Sequence, residues 1–281
     1  MNALKLRQVV TQFKHQKLAL AAIVVLMVFA LASIFAFLSP YDPNKLVVTE
    51  RLQSPSATHW FGTDEHGRDY LSRALYGARV SLSVGFLSMI IAVGIGTAVG
   101  TISGYFGGWV DNVLMRLVDV LMSIPSFFLM LILNAYLKPG ITTIIIIIGM
   151  LSWMNIARIV RAETLSVKER EYVLYARVSG QSTFNIIVKH IVPSMMPTII
   201  VAATISIASS IMMESSLSFL GLGIQPPNSS WGSMLNDAQG YIGDAPYMAL
   251  FPGFLILLTV LSFNFLGDVL RTAFEPKANR R

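Results

Sequence analysis

The sequence contains no cysteine. That excludes a disulfide framework, a zinc–thiolate site, an iron–sulfur cluster and a cysteine nucleophile. Charge is scarce as well. Asp, Glu, Lys and Arg make up 13% of the 281 residues, about half the share a soluble domain carries. So little charge cannot coat a globule of this size. It rules out a disordered chain, a collagen-like chain and an ordinary soluble enzyme. No Gly-x-x-x-x-Gly-Lys-Ser/Thr stretch occurs, so the chain has no phosphate-binding loop of its own. The four histidines are His15, His59, His66 and His190, and all fall outside the apolar runs. An intramembrane Ser–His protease would need a histidine inside them. Phe265-Leu266-Gly267-Asp268 is half of an intramembrane aspartyl motif and reads as a helix stop. No His/Asp/Glu spacing suggests a metal site. These absences argue against an enzyme.

What is present is apolar length. The hydrophobic share is 54%, and a spanning helix needs about 20 mostly apolar residues. Runs almost free of charge cover 18–38, 80–110, 120–137, 140–157, 191–213 and 245–267. The fold class is therefore an all-α membrane protein with six transmembrane helices. The first run is longer than a signal-peptide core and reads as a retained anchor. Pro125 is expected to kink the third span.

The net charge of +6 fits this picture. In a soluble protein it would suggest nucleic acid; in a membrane protein, basic residues gather on cytoplasmic loops. With the N-terminus inside, the inner set is Lys5, Arg7, Lys14, Lys17, Arg116, Arg158, Arg161, Lys168, Arg170, Arg177, Lys189, Arg271, Lys277, Arg280 and Arg281. The outer set is Lys45, Arg51, Arg68, Arg73, Arg79 and Lys138. Fifteen against six supports N-in, C-in. Arg79, beside the second run, can snorkel to the interface. Asp119 is spaced to pair with Arg116 one turn away.

Within the second span, Gly96, Gly100 and Gly104 form a Gly-x-x-x-Gly-x-x-x-Gly face suited to close helix packing, inside this chain rather than against another. Glu214, with Ser215, Ser216 and Ser218, ends the fifth span outside and is expected to line an outer vestibule of the substrate pathway. The stretch 225–244, with Pro226-Pro227, Trp231 and Tyr241, is either an external cap and docking surface or an aromatic membrane anchor.

The cytoplasmic connection 158–190 is the most informative stretch. It reads Glu169-Arg170-Glu171-Tyr172-Val173-Leu174-Tyr175-Ala176-Arg177-Val178-Ser179-Gly180, followed by a second helix from near Ser182 toward Pro193. Tyr172, Ala176 and Ser179 fall on one face, and Gly180 suits a C-cap. Such a helix either plugs a groove on another protein or lies against lipid head groups; the residues alone leave both open.

The pattern resembles the "EAA" loop of permease subunits in binding-protein-dependent ABC importers. Ala176, Gly180 and Pro193 stand at matching positions. Leu174, Tyr175 and His190 depart from the usual Glu, Ala and Ile, with Glu171 one turn earlier as a substitute acid. Phe61-Gly62-Thr63-Asp64-Glu65-His66-Gly67-Arg68-Asp69, Gly104-Tyr105-Phe106-Gly107-Gly108-Trp109-Val110-Asp111 and Glu214-Ser215-Ser216-Leu217-Ser218-Phe219-Leu220-Gly221-Leu222-Gly223 are similar to the peptide/nickel subfamily, in particular its second permease subunit.

The resemblance implies a type I importer permease fold in a bacterial or archaeal inner membrane. Residues 1–75 would hold the tail, first helix and external loop, and residues 76–281 a five-helix core. It implies partners: a second homologous permease, two ATPase subunits, an extracytoplasmic solute-binding protein and membrane lipid, with no nucleic acid. ATP would be used by the partner subunits, with no cofactor or metal bound by this chain. Glu171, Tyr172, Tyr175, Ala176, Arg177 and Gly180 would couple to the ATPase. The implied solute is a dipeptide or oligopeptide, with nickel or a metal chelate as the alternative. A stand-alone secondary transporter or channel is a further alternative, and would carry paired broken helices or buried ion-binding carboxylates.

Overall fold

The computed structural model describes residues 16–274. Lys5, Arg7, Lys14 and His15 at one end, and Lys277, Arg280 and Arg281 at the other, lie outside the described residues. Regular structure among the described residues is helical, apart from one isolated bridge between Thr63 and Asp69.

Helix α1 (Lys17–Ile34) continues as a 3-10 turn, Phe35–Leu38. Its last carbonyls are capped from another helix: Arg79 donates Nε to Ser33 O (2.8 Å) and Nη2 to Ile34 O (2.9 Å). A cation at a helix C-terminus meets the negative end of the dipole. Arg79 thus points at a helix end rather than into the lipid interface.

Helix α2 (Tyr70–Phe106) begins ten residues before the apolar run. Asp69 starts it by accepting the Ser72 N–H at 2.8 Å. At 37 residues it is about 55 Å long, well beyond the ~30 Å hydrocarbon core. The excess places Arg73 and Arg79 on a projecting external turn.

The third span is the main departure from the sequence expectation. It is not one helix over 120–137. Helix α3 (Gly108–Met122) and helix α4 (Ser126–Tyr136) meet at a bend of 74°. Pro125 cannot donate a backbone N–H, and it keeps Ile124 out of helical geometry. A kink was expected; a broken span is found. Asp111, Arg116 and Asp119 all lie within α3. Asp119 pairs with Arg158 of α5, not with its neighbour Arg116.

Helix α5 (Ile141–Val167) runs ten residues past the expected end of its span. The cytoplasmic connection therefore starts at Lys168 rather than at residue 158. It holds α6 (Glu171–Val178) and α7 (Thr183–Ile186). A π-turn, Ile187–Ile191, then feeds α8 (Val192–Phe219). Short helix α9 (Trp231–Ala238) and long helix α10 (Tyr247–Phe274) are the last elements among the described residues. Among the described residues, five helices are long and apolar enough to span, or six with the bent pair counted as one.

The centre is the α2–α5 pair, with α8 packed beside it and α10 packed on α8 and α1. The glycine face makes that pair close. Cβ atoms added at Gly96, Gly100 and Gly104 would stand 2.7 Å from Ile156 Cβ, 2.5 Å from Ala157 O and 2.7 Å from Thr164 Cβ. All three contacts are inside this chain.

Candidate functional site

The cytoplasmic helix α6 stands on a well-packed base. Val173 and Ala176 are buried in a cluster with Ile186, Ile191, Met195 and Val167. The Tyr172 hydroxyl donates to Ser194 Oγ at 2.9 Å. The other face is open. Glu171, Leu174, Arg177 and Ser179 are exposed, Tyr175 is 72% exposed and Val178 87%. On α7, Phe184 is 73% exposed.

This corrects the expected docking face. Ala176 looks into the chain, and Tyr172 is tied to α8. The free surface is Glu171, Leu174, Tyr175 and Val178, an i, i+3, i+4, i+7 set. Leu174, Val178 and Phe184 were missed in the sequence. Their signal was three large apolar side chains in a basic loop.

Gly180 ends α6 with φ +76°. The Gly180 N–H donates to Arg177 O (3.1 Å) and the Gln181 N–H to Ala176 O (3.2 Å), the pairing of a glycine-terminated helix. Nothing lies within 4 Å of where a Gly180 side chain would begin. The glycine is needed for the left-handed turn, not for space inside this chain. Ser182 Oγ then caps α7 at Asn185 N, and His190 Nε2 sits 3.0 Å from Gln181 Oε1.

Three contacts tie the base of the loop to the membrane helices. Asp111, in the first turn of α3, takes a two-point bond from Arg161 of α5, with Nε and Nη2 each at 2.5 Å. Ser103 of α2 donates to the same carboxylate. Lys168 Nζ donates to Gly104 O at 2.9 Å, at the C-terminal end of α2. Gly107 and Gly108, both at positive φ, make the turn that brings these groups together. Arg177 lies over the Tyr105 ring at 5.7 Å. These contacts tie α2, α3 and α5 to one another, and α6 meets them through Arg177 on the Tyr105 ring.

At the other end, Glu214 does not open into a vestibule. It is fully buried. Ser218 Oγ donates to Oε1 at 2.7 Å, and Ser81 Oγ to Oε2 at 3.1 Å. Ser215 Oγ lies at 3.5 Å. Ser218 also receives the Ile224 N–H at 3.1 Å, which folds the 220–230 segment back over the carboxylate. Ser215 and Ser218 are buried with it, and Ser216 alone stays half-exposed. A buried carboxylate is held where several donors converge on it. These residues join α2, α8 and α9.

The external cap is equally closed. Trp231 is buried, so it is neither an anchor in the membrane surface nor a docking ring; its Nε1 donates to Ala74 O at 3.1 Å. Asp64 Oδ1 accepts the backbone N–H groups of His66 (2.8 Å) and Arg68 (2.9 Å). Asp64 Oδ2 takes Arg68 Nε at 2.5 Å and faces Arg73 Nε at 3.4 Å. Arg73 also reaches Asp237 Oδ2 at 3.3 Å. Burial, reinforced by the nearby Glu65, pushes the Asp237 carboxyl above its usual range. Asp64, Glu65 and His66 are close enough to hold a metal ion. Arg68 occupies both carboxylates, however, and supplies the positive charge an ion would bring. Tyr247 and Phe251 of α10 close the cap: the Tyr247 hydroxyl sits 2.8 Å from Thr63 O, and Phe251 stacks on Phe61 at 3.9 Å.

The helices define a multi-span membrane protein with a closed cap at one end and an open short helix at the other. The chain belongs to the family of binding-protein-dependent transport system inner membrane components, which matches residues 96–280. Residues 5–55 match the N-terminal TM domain of oligopeptide transport permease C. The chain is 44% identical over 271 residues to the Dipeptide transport system permease protein DppC of Bacillus subtilis (strain 168), covering 96% of this chain and 85% of that one. It is 41% identical over 268 residues to the Glutathione transport system permease protein GsiD of Escherichia coli O157:H7, covering 95% and 88%. Among solved structures it superimposes on a chain of the MetNI methionine ABC transporter in an inward-facing conformation. The TM-score is 0.60 at 21% identity, covering 72% of this chain and 97% of that one. That likeness establishes the type I permease fold.

Proposed function

We propose that this chain is one of two permease subunits of an ATP-driven importer and that, with a second homologous permease, it forms the path for dipeptides or oligopeptides. An external binding protein delivers the solute, and two ATPase subunits on the cytoplasmic side hydrolyse ATP; this chain itself binds no cofactor. The observation that carries the reading is the outer face of α6. Leu174, Tyr175 and Val178 are apolar side chains in water, on a helix whose other face is firmly seated. An exposed apolar patch on a rigid base is the mark of a partner site. The relatives named for dipeptide and glutathione transport support a peptide solute and do not favour the nickel alternative.

The mechanism follows from the connections. Closure of the ATPase pair displaces α6. The Asp111–Arg161 and Lys168–Gly104 contacts carry the displacement into α2, α3 and α5, while the π-turn passes it into α8. The bundle then switches between inward-open and outward-open arrangements as a rigid-body change.

The test is Gly180→Val in the reconstituted transporter. A β-branched residue at positive φ is strained by about 1–2 kcal/mol, and its side chain enters the partner's space. ATP hydrolysis should persist while dipeptide uptake falls at least about tenfold, equivalent to ~1.4 kcal/mol. Unchanged uptake would remove the docking role from this helix.

A further inference from the structure

Two faces at membrane depth differ in chemistry. Helix α1 turns Leu20, Val24, Val28 and Leu31 outward, and its one hydroxyl, Ser33, is buried. Helix α8 turns out a different stripe: Ile205, Ser209, Met212 and the half-exposed Ser216, at i, i+4, i+7 and i+11. Helix α10 brings the exposed Asn264 beside it, near the middle of its length. Helix α4 adds Phe127, just past the break in the third span. Phe127, Ser209, Met212, Ser216, Val260 and Asn264 line a groove of about 400 Å³.

Lipid does not suit that wall. Ser216 donates its proton to Met212 O at 2.8 Å. Ser209 and Asn264 make no side-chain hydrogen bond among the described residues, and both are exposed. An unmet polar group in hydrocarbon costs several kcal/mol. Water, or a solute with amide groups, satisfies both at no such cost. The groove also contains no ionisable side chain.

We infer that this groove is the chain's wall of the solute path, in place of the buried Glu214 cluster. It rests on the importer reading above. Its occupant is a hydrated, amide-bearing zwitterion. The hydroxyls and the Asn264 amide donate to and accept from peptide groups, the thioether and ring give adaptable apolar contact, and no fixed charge selects among solutes by net charge. Side chains of either sign pass, which leaves selection to the protein that delivers them.

The absence of cysteine makes the test direct. Ser209→Cys, Asn264→Cys and the α1 control Val24→Cys are made singly in the full transporter in proteoliposomes. A charged, membrane-impermeant methanethiosulfonate is the probe. Labelling is read by peptide mass, and uptake with a radiolabelled alanine dipeptide. The groove positions should label at least about tenfold faster than the α1 control, as water-lined and lipid-facing sites differ, and labelling should block uptake. Labelling no faster than Val24→Cys would overturn the proposal, because the groove would then face lipid. Cross-linking of Ser209→Cys to the second permease in every state would overturn it too, because the groove would be a closed protein interface. Absence of dipeptide uptake before labelling would count against the importer reading alone, since the labelling rates still report whether the groove holds water.

Discussion

At the external end, Trp231, Tyr70, Met234 and Met248 are buried almost completely, and Asp64, Arg68, Arg73 and Asp69 are bonded to one another or to backbone. At the cytoplasmic end, Tyr175, Val178 and Phe184 stand in water above a packed base. Both ends come from loops of mixed polar and aromatic composition. The difference lies in what each needs in order to be complete. The external cap pairs its buried arginines and acids with one another and buries Trp231 and Tyr70, so it serves as a fixed scaffold. The cytoplasmic helix leaves large apolar side chains uncovered, which the proposed partner would complete. Substitutions in the first region should therefore be felt in folding, and those in the second in coupling.

The largest effect on the chain is expected at Asp64→Ala. It removes the carboxylate that Arg68 and Arg73 share and leaves each with one weaker partner, Glu65 and Asp237, at about 3 kcal/mol. Thermal unfolding in detergent should show the loss, and residual folded transporter should keep its coupling ratio of uptake to ATP hydrolysis. Loss of coupling with stability intact would break the comparison. Next is Arg161→Ala, at the base of the cytoplasmic loop. The pair is only partly shielded, so the stability cost is about 1–2 kcal/mol, but uptake per ATP should drop because α5, which leads into α6, loses its tie to α3. Smallest is Asp237→Asn. The Asp237 carboxyl is raised in the folded chain, so the folded state holds the proton more tightly. The native chain should lose a little stability as pH rises from the ordinary carboxylate range through the raised value. The Asn variant should lack that slope, with a difference under about 1 kcal/mol. A steeper slope in the variant would contradict the assignment.

Much of this was legible in the sequence. The apolar runs marked the spans. Gly180 marked the end of α6, and the Gly96/Gly100/Gly104 spacing marked the face that packs on α5. What escaped depended on direction or on distance along the chain. The 74° bend follows from Pro125, but hydropathy has no angle, and α3 is not a charge-free run because it carries Asp111, Arg116 and Asp119. The partner of Asp119 lies 39 residues away, so the nearby Arg116 looked sufficient. Ala176 looked like a docking residue because small residues suit contacts. Its inward orientation is set by Val173 packing on Ile186 and Ile191 from the second half of the loop. Glu214 looked like a vestibule residue because it ends an apolar run. Its cage includes Ser81, 133 positions earlier, and no local pattern carries that.

The central claim is that the outer face of α6 is an interface awaiting its ATPase. The most direct measurement is co-purification of the ATPase pair with the permeases carrying Val178→Asp. Val178 is almost wholly exposed, so the substitution should change the stability of this chain by less than about 0.5 kcal/mol. The account predicts an unchanged unfolding temperature together with loss of the ATPase pair and of uptake. Full retention of both, with the charge in place, would contradict it.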